Sequence, residues 1–156
     1  MTERDPSEPY LDPMHSIGYL TRINFRAFSR ALEKLTIEHG VSAGQWRFLR
    51  VLWDQDGITQ RELADRTGTT EATTVRSVNG LLKSGFISRK RVADDRRKMK
   101  ITLTARGRRL RNELLPLVIS VNERALRGVP QRDVETTRRV LMRTFENLTS
   151  EEEVKE

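Results

Sequence analysis

The chain has 156 residues, 36% hydrophobic and 33% charged, with a formal net charge of +7 and no cysteine. That is the size of one domain with a real core, and the missing thiols exclude disulfides, thiolate metal sites and thiol redox switches. No apolar run reaches the roughly 18 residues of a membrane span, and the opening MTERDPSEPYLDP lacks a signal peptide's apolar core, so the expected location is cytoplasmic.

The charge is unevenly placed. Between Arg61 and Arg111 fifteen Lys/Arg face five Asp/Glu, so +10 lies there and the remainder sums to −3. A basic excess confined to one segment points to an anionic partner, nucleic acid before membrane.

In chain order, residues 1–13 are expected to form a flexible arm or strap, because three prolines in thirteen residues defeat a helix. A long helix is predicted from about His15 to His39, with Ile17, Leu20, Asn24, Ala27, Phe28, Ala31 and Leu35 along one stripe. Gly40 ends it. Ser42 and Gln45 have the form of a capping box, and the helix behind them carries Trp46, Phe48, Leu49, Val51, Leu52 and Trp53, too apolar for a surface. Gln55-Asp-Gly57 is a turn.

Thr59 and Glu62 form a second capping box and open a short helix that breaks at Arg66-Thr-Gly68. A third helix runs from Thr69 or Thr70 to Ser84, with Val75, Val78, Leu81 and Leu82 expected inward. Its other face carries Thr70, Thr73, Thr74, Arg76, Ser77 and Asn79. Short hydrogen-bonding groups around one Arg can approach a groove and read base edges, Arg on guanine and Asn on adenine. From Phe86 to Val92 and from Met99 to Leu103 the period changes to two, marking strands about a charged hairpin tip. Thr104 caps a long helix to about Leu126, interrupted by Pro116, and a last helix runs from about Gln131 to Leu148 with Val134, Val140, Leu141, Phe145 and Leu148 apolar.

This layout resembles the multiple-antibiotic-resistance regulator (MarR) family. TQRELADRTG, from Thr59, resembles the first helix of the family's helix-turn-helix, and ATTVRSVNGLLKSGFISR, from Ala72, resembles its recognition helix running into the first wing strand. Asp95-Arg-Arg97, followed by Leu103-Thr104 and Gly107, resembles the family's Asp-x-Arg wing tip with its Leu-Thr ending, and this spacing is the specific part. The likeness covers roughly residues 15 to 148. Ser77, Gly80 and Leu82 depart from residues common there in the family.

The resemblance implies a mainly α fold with a small β-wing. It implies a winged helix-turn-helix over residues 41–104 and a dimerisation region from 14–40 and 105–148; beyond them, residues 149–156 read from their own composition as an acidic tail. Each protomer of a homodimer would place its recognition helix in a major groove, and Arg97, oriented by Asp95, would enter the minor groove, where negative potential concentrates. Thr73, Thr74, Arg76, Ser77 and Asn79 are then the candidate base readers. Arg89, Arg96 and Lys98 are candidate DNA contacts on the wing, and Thr59, Thr69 and Thr70 candidate contacts at helix starts, where backbone amides meet phosphate.

Two readings of function follow. The first is a homodimeric transcriptional regulator, a repressor released by a small anionic effector of aromatic-acid or acyl-coenzyme A type. The second is an effector-independent or architectural DNA binder. For an effector, the row Arg22, Arg26, Arg30 on the first helix is the candidate anion anchor, with Trp46 as a candidate pocket wall. A solvated row and a core Trp are the plainer alternatives. His15 and His39 do not suggest a metal site, no cofactor motif is present, and no nucleophile-base-acid set suggests an enzyme.

Overall fold

The computed structural model describes residues 11–91 and 99–150. They fall into two compact units with a boundary after Val121.

In the first unit, a single 3-10 turn at Pro13–His15 leads to α1, Ile17–Thr36. The helix starts two residues later than expected because Ser16 caps it, its hydroxyl accepting from the Tyr19 N–H at 3.2 Å. Its last predicted turn tightens into a 3-10 turn, Ile37–His39, and Gly40 follows at φ 76°. Only the C-terminal end of the expected stripe is well covered. Phe28, Ala31 and Leu35 of the stripe pack on the core beside Leu32 and Thr36, two buried residues outside it, whereas Ile17, Asn24 and Ala27 of the stripe are exposed.

α2, Ala43–Asp54, has both bonds of the Ser42/Gln45 capping box and buries Trp46, Phe48, Leu49 and Leu52. It is the spine of the core. Trp46 meets Trp53 edge-on at 5.4 Å between ring centres, and the Trp53 indole donates to the Gly107 carbonyl at 2.8 Å.

The turn after α2 holds a device the sequence did not display. Asp56 accepts from the Leu103 N–H at 2.8 Å and pairs with Arg108 at 3.0 Å. This brings β1, Ile58–Thr59, alongside β3, Met99–Leu103. With β2, Ile87–Arg91, they form a three-stranded antiparallel sheet in the order β1-β3-β2. Ile58 and Arg89 both stand opposite Ile101, and Ile87 opposite Leu103. One face of the sheet therefore carries Ile58, Ile87, Ile101 and Leu103, all buried.

α3, Gln60–Thr67, and α4, Glu71–Lys83, meet at Gly68, whose φ of 60° is a conformation other residues rarely adopt. α5, Ala105–Ala125, contains Pro116 and buries Leu110, Leu114 and Val121 on one stripe. Gly107 explains its own place in the wing-to-helix motif: a Cβ there would collide with the Phe86 backbone carbonyl. The second unit contains α6, Gln131–Ser150, with Val134 buried. Val140, Leu141, Met142, Phe145 and Leu148 are exposed along it. No described helix is long and apolar enough to cross a membrane.

Candidate nucleic-acid interface

α4 is held by a run of threonines. The Thr70 hydroxyl caps it, accepting from the Thr73 N–H at 3.3 Å. Thr69 and Thr74 share a hydroxyl bond of 2.9 Å, Thr67 joins Thr69 at 2.8 Å, and the Thr74 hydroxyl donates to the Thr70 carbonyl at 3.0 Å. These contacts zip the turn between α3 and α4 and correct the expected facing of the helix. Thr74, assigned to the DNA side, is fully buried, and Val75, assigned to the core, is 38% exposed.

The physical reason is local satisfaction of a polar group. A buried hydroxyl is tolerated when its donor and acceptor capacity is met, and here the turn meets it. The inward stripe becomes Thr74, Val78, Leu81, at steps of four and three. Val75, Arg76 and Asn79 then share the outer face, with Thr73 and Ser77 half-buried beside it. A sequence reader assigns Val inward by hydropathy. The signal that could have found the true register is the Thr-Gly-Thr-Thr turn, whose hydroxyls need partners.

Behind the helix, Gly80 packs on α2, and a Cβ there would collide with the Gln45 side-chain amide. That amide oxygen accepts from the Ser42 N–H at 3.0 Å. The glycine thus lets α4 lie close against α2 without breaking the cap.

At the start of α3, Thr59 donates its backbone N–H and its hydroxyl to the Glu62 carboxylate, each at 2.7 Å. These two bonds, backbone first, hold the Glu62 carboxyl below the usual carboxylate range, with smaller contributions from Arg66 and Lys100. Thr59 is therefore a capping residue whose own donors are taken.

On the wing, the Arg89 guanidinium donates from Nη2 to Asn79 at 3.2 Å and to Gln60 at 3.3 Å. Lys90 stands directly opposite Lys100, a like-charge pair that raises the energy of the sheet in the absence of a counter-charge. The candidates Asp95, Arg96, Arg97 and Lys98 lie outside the described residues. So the structure brings Arg76, Asn79 and Arg89 together on one side of the sheet and α4, adds Val75 and Gln60, and withdraws Thr74.

Residues 39–98, the span that contains both helices of this motif and the first wing strand, match the model of the MarR family. The chain belongs to the MarR family. Among curated relatives it is 31% identical over 93 residues to the HTH-type transcriptional repressor YetL of Bacillus subtilis, a stretch of 58% of this chain and 56% of that protein. The chain spans about half to two thirds of the length of the first curated relatives it matches, from 45% to 64%. Among solved structures, a MarR transcriptional regulator from Methanosarcina mazei superposes with a TM-score of 0.79 at 27% identity, over 86% of this chain and 96% of that one. CouR from Rhodococcus jostii, solved bound to p-coumaroyl-CoA, superposes with a TM-score of 0.72 at 25% identity, over 83% of this chain and 91% of that one. Membership in the MarR family accounts for the mainly helical fold with a three-stranded wing.

The residues expected to meet an effector are not drawn together. Arg22, Arg26 and Arg30 are exposed on α1, with Arg22 stacked over the Tyr19 ring at 5.4 Å. Trp46 is committed to the core against Trp53. A separate concavity of 590 Å³ is lined by Glu38, His39, Phe86, Arg106, Arg109 and Glu113, among others. Arg106 already stacks on Phe86 at 4.7 Å, and the two carboxylates offset the two guanidiniums, so the concavity has no strong preference for an anion.

Proposed function

We propose that this MarR-family chain is a sequence-specific DNA-binding transcriptional regulator, acting as a homodimeric repressor that a small anionic effector releases. The observation that carries the reading is the outer face of α4, where Val75, Arg76 and Asn79 lie, with Arg89 bonded to Asn79 and the opposed Lys90–Lys100 pair on the other face of the wing sheet. An apolar group and a guanidinium on neighbouring positions of that face suit the thymine methyl and the guanine edge of a major groove. The cations beside them suit phosphates and would give salt-dependent affinity.

Dimerisation is supported by the apolar residues that α6 leaves exposed, Phe145 at 62% and Leu148 at 70% among them. A two-fold dimer would set its recognition helices about 34–36 Å apart, one turn of DNA, and read a pseudo-palindrome. An effector would favour a dimer with unsuitable spacing, by no more than its preference between the two states. The acyl-coenzyme A class is supported by the likeness to CouR, and the exposed Arg22, Arg26, Arg30 row is the proposed place for the anion.

The test has two arms. Full-length protein is used to select duplexes from a random-core library, and the selected sequence is then titrated at increasing salt. A pseudo-palindromic consensus with a steep salt dependence supports the reading, and absence of duplex binding sinks it. Release of that duplex is next measured against a panel of aromatic acids and their coenzyme A thioesters. Uniformly flat results would favour the effector-independent reading instead.

A further inference from the structure

Arg89 occupies an unusual place. It lies in register opposite Ile101, whose side chain is 1% exposed, so it stands on the inward-facing side of the wing sheet. Cross-strand partners share a face, and the two residues before it on that face, Ile87 and its partner Leu103, are both buried. A guanidinium in this register is tolerable only where the core ends and solvent begins.

What meets it there is informative. Nη2 donates to two neutral carboxamides, Asn79 on α4 and Gln60 at the first position of α3. Among the described residues no carboxylate pairs with it. The nearby acid at the start of α3, Glu62, is itself held by Thr59. Two helices thus hold one cation of the wing, orient it, and offer it no counter-charge among the described residues. Neutral acceptors fix the rotamer of a long side chain, which otherwise loses substantial freedom on binding, while Nη1 and Nε, which no described residue engages, can donate to an anion.

The same geometry bears on Asn79. Adenine recognition by an asparagine uses the amide oxygen and nitrogen together, in one bidentate contact. Here the oxygen faces Arg89, so the bidentate contact with adenine is opposed by the bond already made.

We propose that Gln60 and Asn79 are positioning residues that hold Arg89 as a preformed phosphate clamp where α3, α4 and the wing meet, and that Asn79 does not read adenine. The inference rests on the DNA-binding reading and assigns roles within it. Gln60 had no place among the residues that the sequence singled out, because its partner is 29 positions away. Nothing local marks it.

The experiment compares wild type, Arg89→Ala, Asn79→Ala, Gln60→Ala and the double variants with Arg89→Ala. Each is titrated over a salt series on the duplex that wild type selects and on a scrambled duplex of the same length. Arg89→Ala should weaken both by the same factor and lower the slope of log affinity against log salt by about 1, the signature of one lost phosphate contact. Asn79→Ala and Gln60→Ala should each weaken both duplexes equally, by a smaller factor, and should add nothing in the Arg89→Ala background, because coupled residues are non-additive. Asn79→Asp serves as the control that retains the contact while neutralising the charge. It should lower the salt slope as Arg89→Ala does, while thermal melting stays cooperative.

A repeated selection with Asn79→Ala that loses preference at one base position would overturn the proposal, as would full additivity with Arg89→Ala. Both leave the DNA-binding reading intact. Wild type failing to bind any duplex in low salt defeats that reading and the clamp with it.

Discussion

Thr36 and Thr74 are both fully buried threonines, and they differ in what surrounds their hydroxyls. Thr74 donates to the Thr70 carbonyl and shares a bond with Thr69. Among the described residues the Thr36 hydroxyl has no partner. A buried polar group left without a bond lowers stability by about 1–3 kcal/mol relative to a satisfied one. Replacing Thr36 with the nearly isosteric Val removes the penalty and keeps the volume. Thr36→Val should raise stability by about 1 kcal/mol, read as a higher urea midpoint at unchanged slope. Thr74→Val should do the opposite, because it removes the bonds to Thr69 and to the Thr70 carbonyl and leaves Thr69 only its bond to Thr67. The pair separates the loss of a hydroxyl from the loss of a bond.

At the scale of elements, capping explains why the helices begin where they do, and this much was legible. Ser42 with Gln45 and Thr59 with Glu62 both form the reciprocal bonds that their spacing announced. The second box also titrates. The folded-state pKa of Glu62 is depressed by the Thr59 bonds. Its contribution is therefore complete above the unfolded-state value and is lost as pH falls through the lower folded value. Wild type should show declining stability from about pH 5 downward, and Glu62→Gln should flatten that part of the curve, measured by urea melts at stepped pH. Thr59→Ala, which removes the cap hydroxyl, should cost about 1 kcal/mol near neutral pH. The strand pattern was half legible. Alternation in Met99–Leu103 identified β3, but β1 is two residues long. No period can be seen in two residues, and only the Asp56 side chain that grips the Leu103 N–H reveals why the chain turns there.

For the whole molecule, the exposed side chains of α6 are the strongest sign that the folded chain is incomplete alone. Val134, Leu141, Phe145 and Leu148 recur at steps of seven, four and three, one helical stripe. The last three are exposed. A stripe of that kind marks a protein-protein contact more often than a solvated surface. If it pairs two copies, Phe145→Glu should yield a monomer by light scattering while its α-helical circular dichroism is largely kept. Affinity for the selected duplex should then fall steeply, since each half-site would be bound singly. A dimer that persists in Phe145→Glu with unchanged duplex affinity would place the contact elsewhere.

The sequence by itself determined the order of helices, the two capping boxes, the core character of α2, the basic segment and the family resemblance. All of these are encoded within a few residues of each other, by periodicity, by cap spacing or by a short motif. The tertiary structure decided what depends on partners far along the chain. It turned Thr74 inward and Val75 outward, because the Thr69 and Thr70 bonds outweigh hydropathy at that position. It committed Trp46 to the core through Trp53, where the sequence left a pocket wall open. It also joined Gln60, Asn79 and Arg89 into one cluster. A hydrogen bond between residues 29 positions apart leaves no mark in either neighbourhood; it exists only once the wing has folded against the helix-turn-helix.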